Sequence, residues 1–267
     1  PSDIVFITSD CANFHAHSQT ILNGSHNTFN HILLGPSPRG VDKTKSTGSG
    51  YFGSKPIFSV PETSMVFNAI IHAIYRVSCT HHHIPFDVLV EAVGTLQKYG
   101  IKVADVLTPP SSLCDMLLSY APARAFDVYT LASQHNLHGL AVAASAHLCA
   151  FPLYDPTDEM AQRVSAVYLK KLFFLHLGRI EALKGLVFPP SHPHDSVPGC
   201  SPEKREAVSR AWSLAAINLT MDANVDLKES GIRTAFRPLA YDLTCDLCRI
   251  TIAARIDVLN WRWSTVK

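Results

Sequence analysis

Near its start the chain changes periodicity twice. Asp3-Ile4-Val5-Phe6-Ile7-Thr8 is β-branched and aromatic with both faces apolar, which predicts a short strand covered on two sides. After Ser9-Asp10, the stretch Asn13 to His17 alternates, with Phe14 and Ala16 on one face, as in the second arm of a hairpin. From Gln19 to Leu34 the spacing of Ile21, Leu22, Phe29, Ile32 and Leu33 predicts a helix. Residues 35–56 then hold five Gly, three Pro, four Ser and two Thr. Such a run buries too little apolar surface to offset its ordering entropy, so it reads as a flexible insertion loop. Ile57 to Val60 resumes as a strand.

Helical spacing dominates thereafter. Met65, Val66, Ala69, Ile70, Ala73, Ile74 and Val77 share one face, and Phe86, Leu89, Val90, Val93 and Leu96 share another. Ser112 and Asp115 form a capping box that predicts a third helix from about Leu113 to Tyr120. Ala125 to Ala132 and Leu137 to Leu148 mark two more. Asp155-Pro156 places a capping carboxylate before a proline suited to a first helical turn, and predicts one helix running on towards Leu186, with Gly178 as a break or bend. Five prolines between Pro189 and Pro202 mark an irregular connection, and Ser201-Pro202-Glu203 starts another helix. A final helix is predicted from Leu239 to Trp261. The fold class is therefore α/β (α+β) and helix-rich: a small sheet with surrounding helices in residues 1–153, then an all-helical region in 154–267.

Composition narrows the function classes. Apolar residues are 47% and charged residues 17% of the 267, which excludes a disordered polyelectrolyte. A formal charge of +1 supplies no field to attract nucleic acid or anionic lipid. The most apolar stretch, Val164 to Phe188, is interrupted by Lys170, Lys171, Arg179, Glu181 and Lys184, so no membrane span is expected. Pro1 to Thr8 lack the basic start and apolar stretch of a secretory signal. Seven cysteines, mostly within apolar helical patterns, read as free thiols and point to an intracellular protein, cytoplasmic or nuclear.

The chemical motifs are sparse. Gly48-Ser49-Gly50-Tyr51-Phe52-Gly53 matches a dinucleotide fingerprint, yet no buried strand precedes it and Pro56 opposes a following helix, so no cofactor is expected. Cys79 with His81, His82 and His83 suits a helix C-terminus without any metal. No nucleophile elbow or acid–base–nucleophile set is evident, so we expect no catalysis and no small-molecule substrate. Cys245-Asp246-Leu247-Cys248 offers two of the four ligands zinc needs. Cys200, His192 and His194 complete a set only if the proline-rich connection folds back on that pair. Two readings stay open there: buried thiols on a packed helix face, or a zinc-stabilised helical structural protein.

Several pieces occur in an order that resembles the BTB/POZ domain. They are the opening strand Ser2-Asp3-Ile4-Val5-Phe6, the second strand Phe14-His15-Ala16-His17, and the set Ile21-Leu22, Ser25, Phe29. Phe58-Ser59-Val60-Pro61-Glu62, the helix Ile70 to Tyr75 and Leu96-Gln97-Lys98-Tyr99-Gly100-Ile101 follow. Tyr168 to Phe173, His192-Pro193, Cys200-Ser201, Arg210-Ala211-Trp212, Cys245-x-x-Cys248 and Trp263 to Lys267 are similar to the downstream half of uncharacterised fungal, basidiomycete-type BTB domain-containing proteins. Some features depart from the family. Ser18 stands where many members carry Lys or Arg, Ser25 to Phe29 is one residue longer than the common spacing, and no helix precedes the first strand. The resemblance implies a protein–protein interaction module, with no cofactor and no metal. Its partners would be proteins: a second copy in a homo-oligomer, or a cullin-type ubiquitin ligase. The motif positions it marks are Asp3, Phe14, His17, Ser25 and Tyr99.

Overall fold

A computed structural model describes residues 1–34, 50–52, 55–78, 83–153, 157–188, 194–221, 225–241 and 243–266. Most of the glycine-rich stretch, Cys79, His81, His82, the Asp155-Pro156 pair and His192 lie outside these. The chain divides into two compact units, Pro1–His147 and Leu148–Lys267.

The first unit is built on a four-stranded sheet in the order β2-β1-β4-β3, with β1 (Ile4–Ile7), β2 (Asn13–Ala16), β3 (Gly50–Phe52) and β4 (Lys55–Ser59). β1 pairs antiparallel with β2, Phe6 opposite Phe14, and parallel with β4, Phe6 beside Phe58. Ile4, Val5 and Phe6 are all buried, as a strand apolar on both faces requires. The loop expected over 35–56 is corrected in part: Gly50–Phe52 and Lys55-Pro56 are strand, because β3 and β4 pair antiparallel.

α1 (Ser18–Gly24) is shorter than its periodicity predicts, and this is a second correction. Thr28, Phe29, Asn30 and His31 all have positive φ, so the helix cannot continue to Leu34. The Ser25 hydroxyl accepts the Phe29 N–H at 2.8 Å and the Asn27 side chain accepts the Asn30 N–H at 2.8 Å. These side chains offer the backbone partners that a helix would otherwise supply. Phe29 still reaches the core, which explains why its spacing reads as helical.

The helices that follow are α2 (Ser64–Tyr75), α3 (Phe86–Leu96), α4 (Val103–Leu107), α5 (Ser112–Ser119), α6 (Ala121–Gln134) and α7 (His138–Ser145). Val66, Ala69, Ile70 and Ala73 of α2 are buried and Met65 is exposed; Val77 is also exposed, since Arg76 adopts φ 54 and ends the helix first. The cap of α5 is Ser111, whose hydroxyl accepts the Cys114 N–H at 3.4 Å, one residue before the box predicted at Ser112. Phe6, Phe29, Phe67 and Tyr99 form the aromatic centre; Phe6 lies 5.3 Å from both Phe29 and Phe67, and Phe29 stacks on Tyr99 at 4.2 Å.

The second unit is helical: α8 (Asp158–Arg163), α9 (Ala166–Val187), α10 (Pro202–Met221), α11 (Glu229–Phe236), α12 (Pro238–Tyr241) and α13 (Asp246–Ser264). The single helix predicted towards Leu186 is two, because Val164 is extended and Ser165 caps anew. Gly178 breaks nothing and lies inside α9. Trp212 stacks on Phe236 at 4.1 Å and donates its indole N–H to the Val187 carbonyl at 2.9 Å, which joins α10, α11 and α9. Trp263 is buried and donates to the Leu227 carbonyl at 2.8 Å, whereas Trp261 is exposed. The predicted final helix is likewise two, α12 and α13, and the second begins at Asp246. Among the described residues no helix is long and apolar enough to cross a membrane.

Candidate functional site

Asp3, Phe14 and His17 tie the sheet to its helices, and Ser25 and Tyr99 tie the end of α1 to the turn after α3. Asp3 accepts the Ser18 N–H at 2.7 Å and the Ser18 hydroxyl at 2.5 Å, so a carboxylate at the end of β1 caps the first turn of α1. Hydrogen bonds from the Ser18 side chain and backbone hold the Asp3 carboxyl below its ordinary range. The His17 N–H donates to the Tyr75 hydroxyl at 2.8 Å, and its Nδ1 lies 3.0 Å from the same oxygen, which fastens β2 to the end of α2. Phe14 is half-buried, its ring edge-on to Phe67 at 5.1 Å.

Ser25 and Tyr99 meet directly, the hydroxyl donating to the Tyr99 carbonyl at 2.6 Å. The Tyr99 phenol donates to the buried Glu62 carboxylate, and Lys98 completes that pair at 2.5 Å. Burial, then the hydrogen bond to Glu62, raises the phenol well above its ordinary range. Gly100 has φ +70, and a Cβ there would lie 2.3 Å from the Asn27 side-chain oxygen. Glu62 and Gly100 stand in motif pieces of the resemblance, which gives neither a role, and the sequence gives no signal for Asn27.

In the second unit residues 194–200 do fold back on the Cys245/Cys248 pair. Four side chains converge: His194, Cys200, Cys245 and Cys248, with their ligand atoms all within 4.8 Å of one another. The Cys200 and Cys248 sulfurs are 3.7 Å apart, His194 Nε2 is 3.2 Å from Cys248 Sγ and 3.4 Å from Cys245 Sγ. Three local structures place them. Val197-Pro198-Gly199-Cys200 is a turn closed by the Cys200 N–H on the Val197 carbonyl at 3.2 Å, with Gly199 at φ +91. Proline then glycine at the centre of such a turn supplies the fixed and the positive φ it needs. α10 opens two residues beyond Cys200, and Cys245 is the N-cap of α13. A continuous helix over Leu239–Trp261 puts 245 and 248 on one face; the pair instead straddles a helix start. The backbone N–H of Cys248 holds the Cys245 thiol down to about 6, whereas burial and the neighbouring thiols push Cys248 up to about 12. Cys200 and Cys248 are buried, His194 and Cys245 half-buried. His83 is exposed and belongs to the first unit.

No family model, no curated protein and no solved structure matches the chain.

Proposed function

We propose that the chain is a protein-interaction scaffold whose first unit is a BTB/POZ-type module, acting by contact with another protein and not by chemistry. The observation that carries this reading is the topology around β1. A hairpin strand flanks β1 on one side, a parallel strand on the other, and helices α2 to α7 follow with no further strand among the described residues. The resemblance in sequence supports the same reading, since its motif residues Asp3, Phe14 and His17 tie that sheet to its helices.

Such an arrangement is a rigid platform. Among the described residues β2 is an edge strand with β1 on one side, and an edge can pair with an incoming strand. The partner is a second copy of the chain or a cullin-type ubiquitin ligase. Light scattering on a sized column, across a hundredfold range of concentration, tests the first; co-purification with a cullin N-terminal region tests the second. A stable dimer or a stoichiometric cullin complex is the expected result. A strict monomer that retains no cullin overturns the reading.

A further inference from the structure

The four-residue cluster of the second unit lies outside the scaffold reading and is the strongest chemical constellation among the described residues. Around a tetrahedral zinc ion with Zn–S about 2.3 Å and Zn–N about 2.0 Å, two sulfurs stand about 3.8 Å apart, and a sulfur and a nitrogen about 3.5 Å. Three of the six separations are 3.7 Å for Cys200 to Cys248 sulfur, and 3.2 and 3.4 Å for His194 nitrogen to the Cys248 and Cys245 sulfurs, and the other three lie within 4.8 Å. We propose that His194, Cys200, Cys245 and Cys248 bind one zinc(II) ion in a closed Cys3His site.

Three further features fit that ligand set. First, His194 Nδ1 lies 2.6 Å from the Asp195 carbonyl oxygen. The ring therefore donates there and turns the Nε2 lone pair towards the thiols, as the outer hydrogen bond of a metal-ligating histidine does. Second, the thiolates sit where α10 and α13 begin, and both helix N-termini offer positive partial charge. Binding exchanges three thiol protons, released to solvent, for one divalent cation, and leaves a complex of net charge −1 at that position. Third, a cavity of about 340 Å³ borders Cys200, Cys245 and Cys248, with Lys204 on its wall, and gives the ion a way in.

Neither competing account explains the whole group. Buried thiols that merely pack as small hydrophobic groups need no imidazole nitrogen aimed at them. A disulfide needs sulfurs about 2.05 Å apart, and would use two of the four groups only. Thiolate and imidazole donors select zinc over magnesium or calcium. With four protein ligands the coordination sphere is closed, so the ion's work is structural. It fastens the 194–200 turn and the starts of α10 and α13 at one point.

The test is made on the full chain, purified under reducing conditions without chelator. Elemental analysis is expected to find about one zinc per chain, as a single four-ligand site requires. Cys200→Ser, Cys245→Ser and Cys248→Ser are each expected to cut this at least tenfold, while Cys11→Ser and Cys149→Ser leave it unchanged. Should the first three variants fail to fold, cobalt(II) exchanged into the unaltered protein provides the readout: tetrahedral ligand-field bands with thiolate charge transfer. Less than a tenth of an equivalent of zinc after reloading, an octahedral cobalt spectrum, or a mass two hydrogens short from a Cys200–Cys248 disulfide overturns the proposal. Zinc content is independent of oligomeric state, so this failure and that of the scaffold reading are told apart.

Discussion

Tyr99 shows how much one side chain can organise. Its ring stacks on Phe29, its carbonyl takes the Ser25 hydroxyl, and its phenol meets Glu62, a carboxylate 7% exposed. A buried carboxylate without donors is costly, so the phenol and Lys98 are what allow Glu62 to sit there. Tyr99→Phe keeps the ring and removes one donor. Chemical denaturation should show a loss of about 1–3 kcal/mol, the cost of leaving a buried acceptor unpaired. Glu62→Gln made on that background should recover part of the loss, because a neutral amide is cheaper to leave short of one partner. An unchanged Tyr99→Phe stability would mean that water replaces the phenol. The sequence pattern placed Tyr99 inside a motif but gave no hint of Glu62 as its partner, since that contact spans 37 positions and periodicity reports only local neighbours.

At the scale of elements, strand and helix interiors were readable and their ends were not. β1, α3 and α10 lie where apolar spacing put them, because burial of one face decides both pattern and structure. The misreadings occur at element ends. Ser25 and Asn27 compete with the helix for backbone N–H groups and end α1, the extended Val164 and Ser165 separate α8 from α9, and the extended Cys245 opens α13 apart from α12. The last of these hid the candidate site, because a C-x-x-C on a continuous helix reads as packing, whereas the same pair at a helix start gathers amides around a thiol. α2 shows the same competition in a form that can be titrated. Its N-cap, Thr63, makes no side-chain bond, and Asp10 from the β1–β2 turn caps the helix instead, accepting the Ser64 N–H at 2.9 Å and the Ser64 hydroxyl at 2.6 Å. The Ser64 and Thr8 hydroxyls hold the Asp10 carboxyl down to about 2. A carboxyl lowered on folding contributes stability above its unfolded value, near 4, that is lost as pH falls through the folded one. Asp10→Ala should therefore lower Tm at pH 7, and its deficit against the parent should shrink as pH drops from about 4 to about 2. A deficit constant over that range would show that the charge contributes nothing.

For the whole molecule, the division into Pro1–His147 and Leu148–Lys267 gives each unit its own core and its own fastening. The first is held by an aromatic centre and the Glu62–Lys98–Tyr99 contacts; the second by the Trp212–Phe236 stack and, on our proposal, by zinc. All three tryptophans, Trp212, Trp261 and Trp263, fall in the second unit, so indole fluorescence reports its unfolding alone. If the units melt separately, chelation should lower the tryptophan-detected transition and leave the remaining circular-dichroism transition in place. Tyr99→Phe should do the reverse. Removing a ligand that binds only the folded state acts on the unit that holds it, by mass action, and Tyr99→Phe acts on the core that has lost a donor. Two probes and two perturbations thus make a crossed design, in which each perturbation should move one transition. One concerted transition shifted by both would show that the two units share their stability and unfold as a single cooperative body.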